Sequence, residues 1–206
     1  MPPKKTTTRE MILKAAVEIL EENGMSELSS RNLAKRLSCS ISPIFTSFKN
    51  MAELEEEAMR IVGDLLVEYS TRDYTDNIFL NQGIGIVLFA RDHKLLYQEM
   101  VAHNDRFSKV MAEVDEKMQK QSMQDPNVTS FSKETALDLR IKMWIFSTGL
   151  SALINTGQME NDSIEYITKI LFETGRAVII DLRNFGDSNE NGYPVIKEQY
   201  REKVFK

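Results

Sequence analysis

Between Ser29 and Lys49 the chain sets short hydroxyl side chains among cations, in the run SSRNLAKRLSCSISPIFTSFKN that ends at Asn50. Ser42 and Thr46 can donate to or accept from base edges, and Ile41 and Pro43 can lie against a thymine methyl. Arg31, Lys35 and Lys49 suit phosphate oxygens, as do Lys4, Lys5 and Arg9 nearer the start. Ser29 and Ser40 stand where helices would begin, so their hydroxyls can cap while the first free N–H groups point at an anion. No arginine lies between Ile41 and Thr46, so strong guanine readout is not expected there.

Other chemistries have little to stand on. His93 and His103 are ten residues apart, which is no metal-ligand spacing, and Glu99 with His103 reads as an ion pair on one helix face. Cys39 is the sole cysteine, so no intrachain disulfide forms, and it reads as an inert thiol in a reducing compartment. There is no Ser/His/Asp grouping, no carboxylate pair and no glycine-rich phosphate loop, so no catalytic residue, metal or cofactor is expected.

The elements that must position these residues are helices. Thr7 and Glu10 have capping-box spacing, and Met11, Ile12, Ala15, Ala16, Ile19 and Leu20 form one apolar stripe that Asn23-Gly24 ends. A second helix is expected from Ser29, with Leu33, Ala34 and Leu37 inward. A turn at Ser38-Cys39 leads to a third, capped by Ser40 with Pro43 at its third position. Two short helices and a tight turn make a helix-turn-helix. Asn50 and Glu53 repeat the capping-box spacing before a long fourth helix reaching about Arg72.

Charge follows the same division. Residues 1–50 carry eight Lys or Arg against five Glu, a balance of +3, and the rest carry eighteen against twenty-six, a balance of −8, giving the net −5. A basic excess confined to the helix-turn-helix is what a nucleic-acid reader needs.

Beyond it the pattern stays helical: a buried helix over Asn77–Ala90, a short one near Asp92–Ala102, and another with Phe107, Val110, Met111, Val114 and Met118 on one face. Two long ones follow, about Lys133–Asn155 and Ser163–Asn184, the second capped by Asp162 and Glu165 and stopped by Gly186. Gln121–Ser130 reads as a mobile loop, and Ile196, Tyr200 and Val204 as one short terminal helix. The apolar windows are too short or too polar to span a bilayer, and the basic start is no signal peptide, so the expectation is a cytoplasmic protein without membrane contact. The two long helices are more apolar than one covering layer needs. They are expected to pair with their copies as a four-helix bundle through Ile167, Ile170, Leu171, Val178 and Leu182.

The run through Ala15-Ala16, Gly24, Leu33-Ala34, Ser40, Phe45-x-x-Phe48 and Glu53-Leu54 resembles the N-terminal domain of the tetracycline-repressor (TetR) family of transcription regulators. The resemblance covers about residues 8–55; beyond it the likeness is one of helical architecture. The family usually has tyrosine where this chain has Phe45 and lysine where it has Met51, both typically bound to DNA phosphates. Phe45 keeps the ring without the hydroxyl donor, and Met51 carries no charge.

The resemblance implies an all-α protein. Residues 1–50 would form a three-helix helix-turn-helix domain and residues 51–206 a helical ligand-binding and dimerisation domain. It also implies a homodimeric repressor on double-stranded DNA, released by a small hydrophobic or aromatic ligand. The pocket it implies is placed among Phe79, Gly83, Val87, Met100, Met111, Met143, Trp144 and Ser147. Two other readings stay open: a helical protein–protein adaptor that has lost specific DNA binding, which the missing tyrosine and lysine favour, and a small helical enzyme.

Overall fold

Short polar side chains take up the first free N–H of most helices in the computed structural model, which describes residues 7–185. Thr8 accepts from Met11 N at 3.3 Å and starts α1 (Arg9–Asn23); Ser29 accepts from Asn32 N at 3.2 Å and starts α2 (Ser30–Arg36). Asn50 accepts from Glu53 N at 2.9 Å at the head of α4 (Met51–Ser70), and Asn77 from Leu80 N at 2.7 Å at the head of α5 (Ile78–Asp92). The first cap is therefore Thr8, one residue beyond the Thr7 expected.

A single 3₁₀ turn, Met25–Glu27, separates α1 from α2, and Gly24 before it takes φ +78°, a conformation glycine adopts without strain. The turn after α2 closes with Ser38 at φ 51° and Cys39 N donating to Ala34 O at 3.0 Å. Ile41 is already helical there and occupies the cap of α3 (Ser42–Ser47), which has no side-chain cap. Ser40 thus lies one residue too early to cap, and Pro43 stands second rather than third in the helix.

The body continues with α6 (Lys94–Ala102), α7 (Ser108–Ser122), α8 (Pro126–Thr129), α9 (Lys133–Asn155) and α10 (Ile164–Phe185); no strand occurs among the described residues. At the head of α10 Ser163 accepts from Tyr166 N at 3.4 Å, and Asp162 instead gives its carbonyl to Arg91 at 2.9 Å. The expected stop at Gly186 and the terminal helix lie outside the described residues.

Gln121–Ser130 is not the loose loop its Asp-Pro-Asn suggests. Asp125 is 2% exposed, and its carboxylate accepts from Asn127 N at 2.8 Å and from Phe79 N at 2.9 Å. One side chain thus starts α8 and also places a negative charge at the positive end of α5.

One core runs from the head into the body. Ile12, Ala16, Leu20, Leu33, Ile44 and Phe48 close the three-helix head, and Leu54 and Ala58 of α4 join them. The same cluster continues through Met59 and Val62 to Ile84, Val87 and Phe89 of the central α5. A smaller cluster of Val128, Ala136, Leu139 and Leu182 closes the far end of α9 and α10.

Candidate nucleic-acid interface and ligand cavity

Burial sorts the short α3 into two faces. Ile44 and Phe48 are fully buried, which turns Ile41, Ser42, Phe45, Thr46 and Lys49 outward, with Pro43 half-buried between them. Thr46 donates its hydroxyl proton to Ser42 O at 2.9 Å, so toward a ligand it presents an acceptor. Ser29 caps α2, and Arg31 and Lys35 project from that helix into solvent; Ser40 is exposed in the turn. Arg31, Lys35 and Lys49 carry no ion pair among the described residues. Most of the residues expected at DNA are therefore exposed, and they include three cations outside any ion pair among the described residues and the hydroxyls of Ser42 and Thr46.

Two nearby cations are committed elsewhere. Arg9 pairs with Glu57, pairs with Glu53 at 3.2 Å, donates to Ser47 O and stacks 4.0 Å over the Phe48 ring. It clamps α1 to α4, so its guanidinium is engaged by carboxylates rather than free in the arm; Lys4 and Lys5 lie outside the described residues. Arg36 pairs with Glu22 and, at 3.3 Å, with Glu18 on α1. These carboxylates raise both guanidinium pKa values, that of Arg9 chiefly through Glu57 and that of Arg36 through Glu22. Glu53 is held below its ordinary carboxylate value, first by the Lys49 N–H that it accepts at 2.7 Å and then by Arg9. Met51 is half-buried against the core at the first position of α4, and Phe45 is 48% exposed on the outward face.

The head meets the body along α1 and α6. Glu99 accepts from Met25 N at 2.9 Å through one oxygen and pairs with His103 at 3.1 Å through the other. The expected Glu99–His103 pair is therefore present, and the carboxylate also ties the head's 3₁₀ turn to α6. His93 Nδ1 lies 2.5 Å from Glu21 Oε1, and its Nε2 lies 3.1 Å from the Tyr69 hydroxyl.

A cavity of about 530 Å³ lies between α5, α7, α9 and α10. Phe79, Gly83, Met143, Trp144 and Ser147 line it as expected. Val87, Met100 and Met111 do not: Val87 is 0% exposed and Met100 5% exposed in the main core, and Met111 packs against that core. The wall of α5 turns by three residues from Gly83 to Ile86, which leaves Val87 on the inner side. Leu80, Met118, Leu171, Phe172, Ile179 and Ile180 complete the apolar lining, and Arg140, Arg176 and Arg183 bring charge to it. Sequence reading missed these arginines, although Arg176 and Arg183 stand seven apart on α10 with apolar residues between them, the spacing of one helix face.

The helix α5 separates cavity from head. A methyl on Gly83 would reach Leu171 and Ser147 at 3.6 Å on the cavity side. A methyl on Gly85 would collide with the backbone of Tyr69 and Ser70 at the end of α4. The two helices cross in direct backbone contact there, which only glycine permits.

The face expected to join two copies is largely used inside one copy. Ile167, Leu171 and Leu182 are 0%, 1% and 5% exposed, and Ile170 and Val178 are half-buried against the two clusters. The large apolar residues left exposed are Leu137, Ile141, Trp144, Ile145 and Leu153 on α9 with Ile164, Phe172, Ile180 and Phe185 on α10, of which Leu137, Ile141, Trp144, Phe172 and Ile180 also line the cavity; Trp144 and Ile145 are 63% and 60% exposed. No helix among the described residues is long and apolar enough to cross a membrane, and none of their His, Cys, Asp and Glu gather in threes that could hold a metal ion.

Residues 12–58 match the family model described as bacterial regulatory proteins, tetR family. That span runs from the first buried residue of α1 into α4. In fold, the chain resembles the crystal structure of a protein from Rhodococcus sp. assigned to the TetR-family transcriptional regulators. The TM-score is 0.60 with 17% identity, over 83% of this chain and 98% of that one. No curated protein matches the chain in sequence.

Proposed function

We propose that the chain is a DNA-binding transcription regulator of the tetR kind, whose family model residues 12–58 match, and that it is a homodimeric repressor released from its operator by a small, largely apolar molecule. One observation carries this reading: a single helix, α5, forms a wall of the cavity on one side and touches the backbone of α4 on the other. Since α4 shares its core with the reading head, a ligand that reshapes the cavity is two helices away from the DNA surface.

In this reading Ser42 and Thr46 read base edges, Ile41, Pro43 and Phe45 make apolar contacts in the groove, and Arg31 and Lys49 neutralise phosphates. Ser29 and Ser40 flank them. The ligand acts only by favouring the conformer that does not fit DNA; a coupling of about 1–3 kcal/mol lowers operator affinity roughly 5- to 150-fold. The two copies join through the outward faces of α9 and α10. These present Leu137, Ile141, Trp144, Ile145 and Ile180 to solvent in the single chain, a patch that water penalises. Residues 1–50 then act as the reading domain and the remainder as the ligand and dimer domain.

Selection of bound duplexes from random DNA, followed by a screen of small molecules for release, tests the proposal. Recovery of a two-fold sequence and its release by a cavity ligand are expected; recovery of no preferred sequence overturns it. The exposed Phe45 ring favours one other reading, a protein–protein adaptor on the same fold. Retention on DNA that falls steeply with salt decides against the adaptor.

A further inference from the structure

The cavity lining carries three arginines against one acid, Asp115, in a chain whose residues 51–206 sum to −8. This local reversal of charge is set into a mainly apolar wall that also carries Asn77, Gln82, Asn127 and Ser147. We infer that the cavity takes an apolar molecule bearing one anionic group of the carboxylate class, held by the arginines of α9 and α10. The inference rests on the reading of this cavity as the ligand site.

The three guanidiniums differ in how far they are committed. Arg140, its side chain 16% exposed, pairs with Asp115 at 2.8 Å. Arg183 donates to the neutral amide oxygen of Asn127 at 3.3 Å, and Arg176 lies 5.6 Å from the centre of the Phe172 ring. Neither Arg176 nor Arg183 has a carboxylate partner among the described residues. They lie seven residues apart on one face of α10, about 10 Å along its axis.

Gly175 sits against Met143, and Leu182 against Leu139 in the smaller cluster. α9 and α10 therefore run antiparallel, and Arg140 falls between the levels of Arg176 and Arg183. An anion between the two helices meets the carboxylate-free guanidiniums of α10 opposite Arg140, which Asp115 already pairs, and guanidinium N–H groups match a carboxylate in geometry as well as charge. Phe79, Met143, Trp144 and Leu171 supply the apolar surface for the rest of the molecule. Arg176 and Arg183 are exposed, so water screens them when the cavity is empty and their cost in the free chain is small, while an anion would gain from both.

Titration calorimetry of the full chain, in about 0.15 M salt, compares two matched pairs: 1-naphthoate with 1-naphthalenemethanol, and dodecanoate with 1-dodecanol. In at least one pair the acid is expected to bind about tenfold or more tightly than its alcohol, the effect of a charged hydrogen bond. The pair that shows it says whether the body is aromatic or alkyl. Arg176→Gln with Arg183→Gln, checked for fold by circular dichroism, should lower the acid's affinity about tenfold or more relative to the alcohol's and so abolish that preference.

Equal binding of acid and alcohol, a preference that survives in the double variant, or no binding by any of the four overturns the inference. Release of operator DNA is measured separately. An acid that binds with the expected preference but leaves DNA bound removes the repressor reading alone. An alcohol that binds as well as its acid and releases DNA removes only the claim of an anion.

Discussion

Lys49 contributes to both the structure and the surface of the head: its N–H goes to Glu53, and its side chain stays exposed and free of ion pairs. Lys49→Ala is therefore expected to weaken binding to all duplexes alike and to lower the salt slope by about one, measured by titration at several salt concentrations. Thr46→Ala should instead alter which sequences are preferred. Glu53 has a folded pKa depressed below its ordinary value of 4.5 by the Lys49 N–H and by Arg9. Its contribution is complete above that ordinary value and is lost as pH falls through the depressed one. Thermal melts from about pH 6 to about pH 3 should show a fall in the midpoint that Glu53→Gln flattens. Asp125 is the most consequential single side chain of the body. Removing it in Asp125→Ala leaves α8 uncapped and the Phe79 N–H of α5 without its acceptor, and should cost on the order of 1–3 kcal/mol in urea denaturation. Its role was not legible in the sequence, because Asp-Pro-Asn is equally the signature of a turn, and its reach to Phe79 is a contact across 46 positions.

At the scale of elements, helices with strong local signals were legible and close placements were not. Asn50 announced α4, since a short polar cap before an apolar period is written in adjacent residues, and the apolar run of Asn77–Ala90 announced α5, though not Asn77 as its cap. The stripe on α10 was read correctly as apolar but assigned to the wrong surface. Periodicity names a buried face without saying whether the burying partner belongs to the same chain. The body face of α9 escaped for the opposite reason: apolar residues surround much of this helix, so no one side stood out. Only part of the cavity was legible for a related cause, since Phe79 and Gly83 mark one face of α5 but Met100 and Met111 were chosen by residue type. The crossing of α4 and α5 supplies the test at this scale. Gly85→Ala places a methyl against backbone that cannot yield by changing rotamer. It should destabilise the fold by about 1–3 kcal/mol or more, read as a lowered denaturation midpoint, and an alanine at Gly83, which meets only side chains at 3.6 Å, should cost less.

For the whole molecule, the outward apolar surface of α9 and α10 sets the expectation of a dimer. Sedimentation equilibrium at micromolar concentration should give twice the chain mass of 23.7 kDa, and Ile145→Lys should return the single-chain mass with the helical content intact. Trp144, 63% exposed in one chain and also on the cavity wall, should shift its fluorescence when the dimer is diluted apart.

The backbone contact at Gly85 also has a mechanical consequence. α4 is 20 residues long, about 30 Å, and the contact pins it at its last turn, so nearly its whole length lies on the DNA side of the fulcrum. A rotation of about 6° around that point displaces the Met51 end by about 3 Å. Applied in opposite senses by two copies, it changes the separation of the heads by up to about 6 Å, against the roughly 34 Å repeat of the groove they must fit. In the proposed dimer, an adjustment near the fulcrum no larger than a side chain settling around a ligand would arrive at the other end as a loss of register with DNA.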